Sequence, residues 1–201
     1  MNTLHDIRSG LGQHTPRLQE SGHNAAVAVI LRPDGNDVQL LYIERAHTSR
    51  DPWSGHIAFP GGRVEESDPS LRATAERETR EEVGLHLHDA HCLGRLDDVQ
   101  GSSLPVRVAA FVFAVESDIE LDTNVEVHRA FWRPLRTLCD PHRQCQHLAQ
   151  MGDELRPMPA VDLLGPKRPL LWGITYRFTA QLTALLGKPL PPKASVEDCS
   201  T

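Results

Sequence analysis

The chain has 201 residues, enough for one domain with a substantial core and with no need of disulfides or a structural metal to fold. Its 21 basic and 27 acidic side chains leave a net charge of -6, with 39% hydrophobic and 5% aromatic residues. That balance argues against a nucleic-acid partner, because a phosphate backbone is held by an excess of Lys and Arg. The longest apolar run, Ala25 to Leu31, is far short of the roughly 20 residues that cross a bilayer, so no membrane partner is expected. Cys92, Cys139, Cys145 and Cys199 are irregularly spaced, form no C-x-x-C pair and follow no leader-like stretch, which fits a reducing, cytoplasmic setting.

Leu4, Ile7 and Leu11 recur at helical spacing before Pro16 and predict a short amphipathic helix within an N-terminal extension, residues 1–22. The main domain is expected over residues 23–187. Ala25 to Leu31 and Val38 to Ile43 read as two strands of a hairpin, with the turn signal at Pro33-Asp-Gly35. A brief strand follows in Trp53 to Gly62, ending on Pro60 and two glycines. Asp68 suits a helix N-cap and Pro69 the first helical position, and the helix runs to Val83, where Gly84 stops it. Further strands are expected at Val106 to Val115 and His128 to Pro134. Leu170 to Phe178 leads into a C-terminal helix with Tyr176, Leu182, Leu185 and Leu186 as core positions. Residues 188–201 form a polar, proline-bearing tail expected to be disordered. Strands alternating with helices imply an α/β fold with a mixed sheet.

Most of the acidity is local. Between Glu65 and Glu82, seven acidic residues face three arginines, a net of -4 out of the chain's -6. Within that stretch Glu78, Glu81 and Glu82 share a helical arc of roughly 100°. Like charges at these spacings repel, so the helix loses stability unless a cation neutralises them. A hard divalent ion such as Mg²⁺ suits carboxylate oxygens and leaves positions for substrate phosphates. The competing reading is a solvated acidic face with Arg77 and Arg80 as surface partners.

The order of residues separates the two. Arg77-Glu78-x-x-Glu81-Glu82-x-Gly84-Leu85, preceded by Gly61-Gly62, resembles the signature of the Nudix hydrolases. Five fixed residues at that spacing arise by chance in a chain of this length with a probability on the order of 10⁻⁴. The interval from Gly62 to Arg77 is one residue longer than the family's general pattern, which leaves Glu65, Glu66 and Asp68 as alternatives for its first glutamate. The same expansion is found in the subgroup of coenzyme A pyrophosphatases, which Phe59-Pro-Gly-Gly62, Thr74-Ala75 and the upstream series Leu40-Leu41, Arg45-Ala46, Arg50, Gly55 resemble. Here four residues rather than three separate Arg50 from Gly55, and Tyr42 replaces a threonine. Leu171-Trp-Gly-Ile-Thr175 is also similar to that subgroup.

The resemblance implies a Nudix-type α/β/α sandwich with the Glu78 helix on one side of a mixed sheet and a C-terminal helix on the other. It implies hydrolysis of a nucleoside diphosphate linked to another moiety, with coenzyme A or a derivative as the leading substrate and 3′,5′-ADP and phosphopantetheine as products. ADP-ribose, a dinucleotide or a nucleoside triphosphate are the alternatives, and a non-catalytic nucleotide-sensing domain is the reading from another class. By the same analogy Glu78 and Glu82 bind Mg²⁺ or Mn²⁺, Glu81 shares that role or transfers a proton, and a carbonyl at Gly61 or Gly62 completes the site. Arg77 orients a glutamate, and Glu126 is the first choice for a later-loop base, ahead of Glu116 and Glu120. Arg45 and Arg50 are candidates for substrate phosphate, since arginine meets phosphate with two parallel donors. Trp53 and Trp172 are candidates to stack on a base, against the commoner role of core tryptophan. Cys139-x-x-His142-x-x-Cys145-x-His147 is rich in zinc ligands, but none of its spacings is a standard one. A homodimer is compatible with all of this.

Overall fold

The computed structural model describes residues 4–18, 22, 24–48, 53–87, 92–101, 106–116 and 119–192. A first helix, α1 (Leu4–Gln13), precedes a hairpin of β1 (Ala25–Asp34) and β2 (Asp37–Arg45). The turn falls on Gly35 and Asn36, and β1 continues through Pro33, which pairs with Val38, where the sequence placed the turn at Pro33 to Gly35. The proline is tolerated because the strand on the other side of β1 has ended by Leu31, leaving that edge free.

The stretch around the two glycines divides into β3 (Ile57–Ala58), added to β2, and β4 (Gly61–Arg63), which holds both glycines and is added to β1. Helix α2 (Leu71–Val83) follows, then β5 (Cys92–Arg95), β6 (Val99–Gln100), β7 (Arg107–Ala114), β8 (Val127–Pro134) and a single turn, α3 (Leu135–Leu138). A 3-10 turn at Pro141–Arg143 leads into β9 (Gln144–Met151) and β10 (Glu154–Val161). The chain continues through β11 (Leu171–Trp172) into α4 (Gly173–Leu185).

Among the described residues β1 to β8 make one sheet, in the order β3-β2-β1-β7-β5, with β4 on β1, β6 on β7 and β8 on β2. β1 and β7 run parallel while β2 and β8 are antiparallel to their neighbours, so the sheet is mixed as expected. β1 is buried on both faces, which explains its near-continuous apolar run. Ala26, Ala28 and Ile30 pack with Ala75 and Val83 of α2, while Val29 and Leu31 pack with Ile7 and Leu11 of α1 and with Phe178 and Leu182 of α4. The result is the α/β/α sandwich. Tyr42, fully buried on the α4 side, donates its hydroxyl to Thr179 Oγ1 at 3.1 Å, whose own proton goes to the Thr175 carbonyl.

Of the core positions expected in α4, Leu182 is buried and Tyr176, Leu185 and Leu186 are partly so; Phe178, Thr179 and Thr183 carry the rest. Leu190 still packs on that core, and the last part of the expected tail, residues 193–201, lies outside the described residues. The β9–β10 hairpin and β11 form a second, three-stranded sheet that the sequence reading missed. Its segments intersperse glutamine, histidine and proline with apolar residues, so their strand periodicity is weak, and Leu148 and Leu155 point outward.

Candidate active site

Gly61 and Gly62, at the start of β4, and the acidic face of α2 meet at close range. Glu82 is buried with 2% exposure, and its Oε2 accepts the Gly61 amide at 2.8 Å. Its Oε1 lies 3.7 Å from Arg45 Nη1 at the end of β2. Burial pushes the Glu82 carboxyl up to about 8, and the nearby Glu78 and Glu126 carboxylates push the same way against the Gly61 and Arg45 contacts. Glu78 is also raised, first by burial, with Glu81 and Glu126 adding to it and Arg77 opposing. Gly62 is obligatory for this approach, because a Cβ there would overlap the Glu78 carboxyl group. Glu81 is 48% exposed and turned toward Arg77 Nη1 at 3.3 Å.

Asp68 does not cap α2. The N-cap is Ser70, whose hydroxyl accepts from the Ala73 amide at 3.1 Å, and Gly84 closes the other end at φ 69°, its amide on the Arg80 carbonyl. Asp68 instead receives Arg77 Nε and Nη2, both at 3.0 Å, together with Thr74 Oγ1 at 2.9 Å and the Glu65 amide at 2.9 Å. Arg77 holds the Asp68 carboxyl well below the usual carboxylate range. The same guanidinium reaches Glu78 at 3.0 Å and the Arg63 carbonyl at 3.0 Å. Of the three acidic residues left open by the sequence, Asp68 makes the paired contact with Arg77, while Glu65 stands 3.7 Å away. Arg77 therefore ties the loop before α2 to the acidic face.

Glu126 lies in the turn before β8, and the backbone of that turn is tied to the ends of β2 and α2. Its carbonyl accepts from Ala46 at 2.8 Å, the neighbouring Asn124 amide returns to the Glu82 carbonyl at 3.2 Å, and its carboxylate is near enough to raise both Glu78 and Glu82. Arg45, read as a phosphate ligand, has its guanidinium against Glu82. Arg50 lies outside the described residues. Trp53 sits in the turn before β3, its carbonyl accepting from His56. Trp172 is half-buried at the start of α4, with the His147 ring 4.2 Å away at 33° and the His56 ring at 5.2 Å, edge-on.

Among the described residues no three His, Cys, Asp or Glu side chains are grouped so as to hold a metal ion by themselves. The zinc reading of Cys139 to His147 therefore has no geometric basis: Cys145 is buried, and His147 lies on Trp172. The hard oxygen donors of Glu78 and Glu82 beside Gly61 and Gly62 fit a divalent cation of the Mg²⁺ type, which needs only a few protein carboxylates. Sequence reasoning missed His56 and His147 beside Trp172. Only the pairing of three separate strands brings them there.

The α/β/α sandwich is a fold shared with the MutT/nudix family protein from Enterococcus faecalis. That likeness has a TM-score of 0.55 with 15% identity, over 93% of this chain and 75% of that one. A family model described as NUDIX domain matches residues 22–155, and the chain belongs to the Nudix family, as a Nudix pyrophosphohydrolase. The mitochondrial coenzyme A diphosphatase of Homo sapiens is 32% identical over 174 residues, 86% of this chain and 73% of that protein. The corresponding protein of Mus musculus is 32% identical over 188 residues, covering 92% and 86%.

Proposed function

We propose that this enzyme is a Mg²⁺- or Mn²⁺-dependent diphosphatase of coenzyme A or its derivatives, releasing 3′,5′-ADP and phosphopantetheine. The observation that supports the chemistry is the pair of carboxylates, Glu78 and Glu82, set against Gly61 and Gly62, with Glu82 buried. The likeness to the two coenzyme A diphosphatases supports the substrate. Glu78 and Glu82 would hold the metal, with Glu81 and a carbonyl at Gly61 or Gly62 in reach. The bound metal neutralises the diphosphate and acidifies a water molecule. Glu126, exposed on its turn, takes the proton of the attacking water; the new P–O bond forms as the bond to the bridging oxygen breaks. Arg77 orients Glu78 and Glu81 and does not touch substrate, its donors being taken by Asp68 and the Arg63 carbonyl. Arg45 exchanges Glu82 for a substrate phosphate, and Trp172 with His147 offers a stacking surface to the base.

The test is turnover of coenzyme A, ADP-ribose, NADH, diadenosine polyphosphates and nucleoside triphosphates with Mg²⁺ or Mn²⁺. Metal-dependent cleavage of coenzyme A at the highest kcat/KM is expected. Turnover of ADP-ribose with coenzyme A untouched would overturn the substrate, and no turnover of any member would overturn the catalytic reading.

A further inference from the structure

Strand alternation puts Arg129, Phe131 and Arg133 of β8 on one face, the face that Tyr42 shares from the neighbouring strand. The Phe131 ring lies between the two guanidinium groups, 5.3 Å from Arg129 Cζ and 5.1 Å from Arg133 Cζ. A third guanidinium, that of Arg143, comes from the turn before β9 and is near enough to weigh on Arg133 together with Arg129. Backbone carbonyls hold the group in place. Arg133 donates to Leu163 O at 2.9 Å and Trp132 O at 3.0 Å, and Arg143 to Asp162 O at 2.9 Å.

Neutral carbonyls satisfy donors but do not cancel charge. The carboxylates paired with the group are buried Glu44, which accepts Arg129 Nε at 2.7 Å, and Asp140, 3.9 Å from Arg143 Nε. Arg129 Nη2 is buried and has no partner among the described residues. Three guanidinium groups that remain charged at every working pH, one of them with an unused buried donor, form a site lacking an anion.

Its position says which anion. Glu44 and Arg45 are consecutive on β2; Glu44 holds Arg129, while Arg45 lies against Glu82. Arg129 and Glu82 thus flank the end of β2 from opposite faces, with Arg133 beside Leu40 further back along the strand. Ile57, the cross-strand partner of Glu44, follows His56, whose ring meets Trp172. The stacking surface and Arg129 therefore belong to the same end of the sheet.

We propose that Arg129, Arg133 and Arg143 bind a phosphate other than the two joined by the bond being cleaved, namely the ribose 3′-phosphate of a 3′-phosphoadenosine diphosphate substrate. The site thereby selects coenzyme A compounds over nucleoside diphosphates that lack this phosphate. This rests on the substrate reading given above, and the experiment separates the two.

The full-length enzyme is assayed with coenzyme A and 3′-dephospho-coenzyme A, and its binding of adenosine 3′,5′-bisphosphate and of AMP is measured by calorimetry without turnover. The wild type is expected to favour the 3′-phosphorylated member of each pair by about tenfold or more, the worth of a charge-assisted contact. Arg143→Gln and Arg129→Lys, the second keeping a cation opposite Glu44, are expected to shrink both ratios, chiefly through KM and Kd, with the melting temperature confirming a folded protein. Equal turnover and binding with and without the 3′-phosphate would overturn the arginine site and leave the coenzyme A reading standing. A wild-type preference that both variants retain would overturn it too. Cleavage of ADP-ribose but of neither coenzyme A compound would overturn the substrate reading, while the bisphosphate titration would still decide the anion site.

Discussion

Glu82 combines a buried carboxyl with a single amide donor and a distant guanidinium, so its charge is poorly compensated without a cation. Glu82→Gln removes the charge that burial penalises while keeping the shape. It is expected to lower kcat by roughly two orders of magnitude or more, the scale of losing one key electrostatic group. The melting temperature of the metal-free protein should hold or rise, as thermal unfolding would show. Gly62→Ala places a methyl where the Glu78 carboxyl group now lies. Because that carboxyl is the movable end of a flexible side chain, the change should displace it and lower activity while leaving the denaturant midpoint close to that of the wild type. Asp68 has a depressed pKa, so the folded state binds fewer protons there than the unfolded chain. Its contribution is complete above the ordinary aspartate range and is lost as the pH falls below it. Asp68→Asn should therefore destabilise the protein by about 1–3 kcal/mol at neutral pH, with the gap to the wild type closing below about pH 4. Stability curves of the two proteins against pH would reveal a gap that failed to close.

At the scale of elements, α2 is the piece whose limits decide the site, because a shift of one residue would turn its carboxylates by about 100°. Ser70 and Gly84 set those limits. Ser70→Ala should cost about 1 kcal/mol through the lost cap. Gly84→Ala should cost about 1–3 kcal/mol, because its φ of 69° is one that alanine adopts only under strain. Lying at opposite ends of the helix, the two changes should add within about 0.5 kcal/mol in chemical denaturation. The C-terminal stop, the helix body and the β1–β2 hairpin were legible because each is written in neighbouring residues. The N-cap was misread because Asp68 and Ser70 are both good capping types two residues apart, and only the presence of Arg77 beside Asp68 assigns them.

Over the whole molecule, the site joins α2, the start of β4, the end of β2 and the turn before β8, so a metal bound there would clamp separate parts of the sandwich. At a concentration of 100 times its Kd, Mg²⁺ or Mn²⁺ should stabilise the wild type by about 2.7 kcal/mol, with a much smaller gain in Glu82→Gln. Calorimetric melting with and without the ion tests this. The sequence by itself determined the family, the arc shared by Glu78, Glu81 and Glu82, and the glycines beside them, because helical periodicity fixes angles between residues near in the chain. Resemblance to the family also put Glu126 ahead of Glu116 and Glu120 as the later-loop glutamate. Only the tertiary structure shows that Glu82 is buried while Glu81 is half-exposed, that Asp68 answers Arg77, and that Arg129 meets Glu44 across β2 and β8. Burial and contacts between distant segments depend on how strands pair and helices pack on the sheet, and local periodicity carries no record of either.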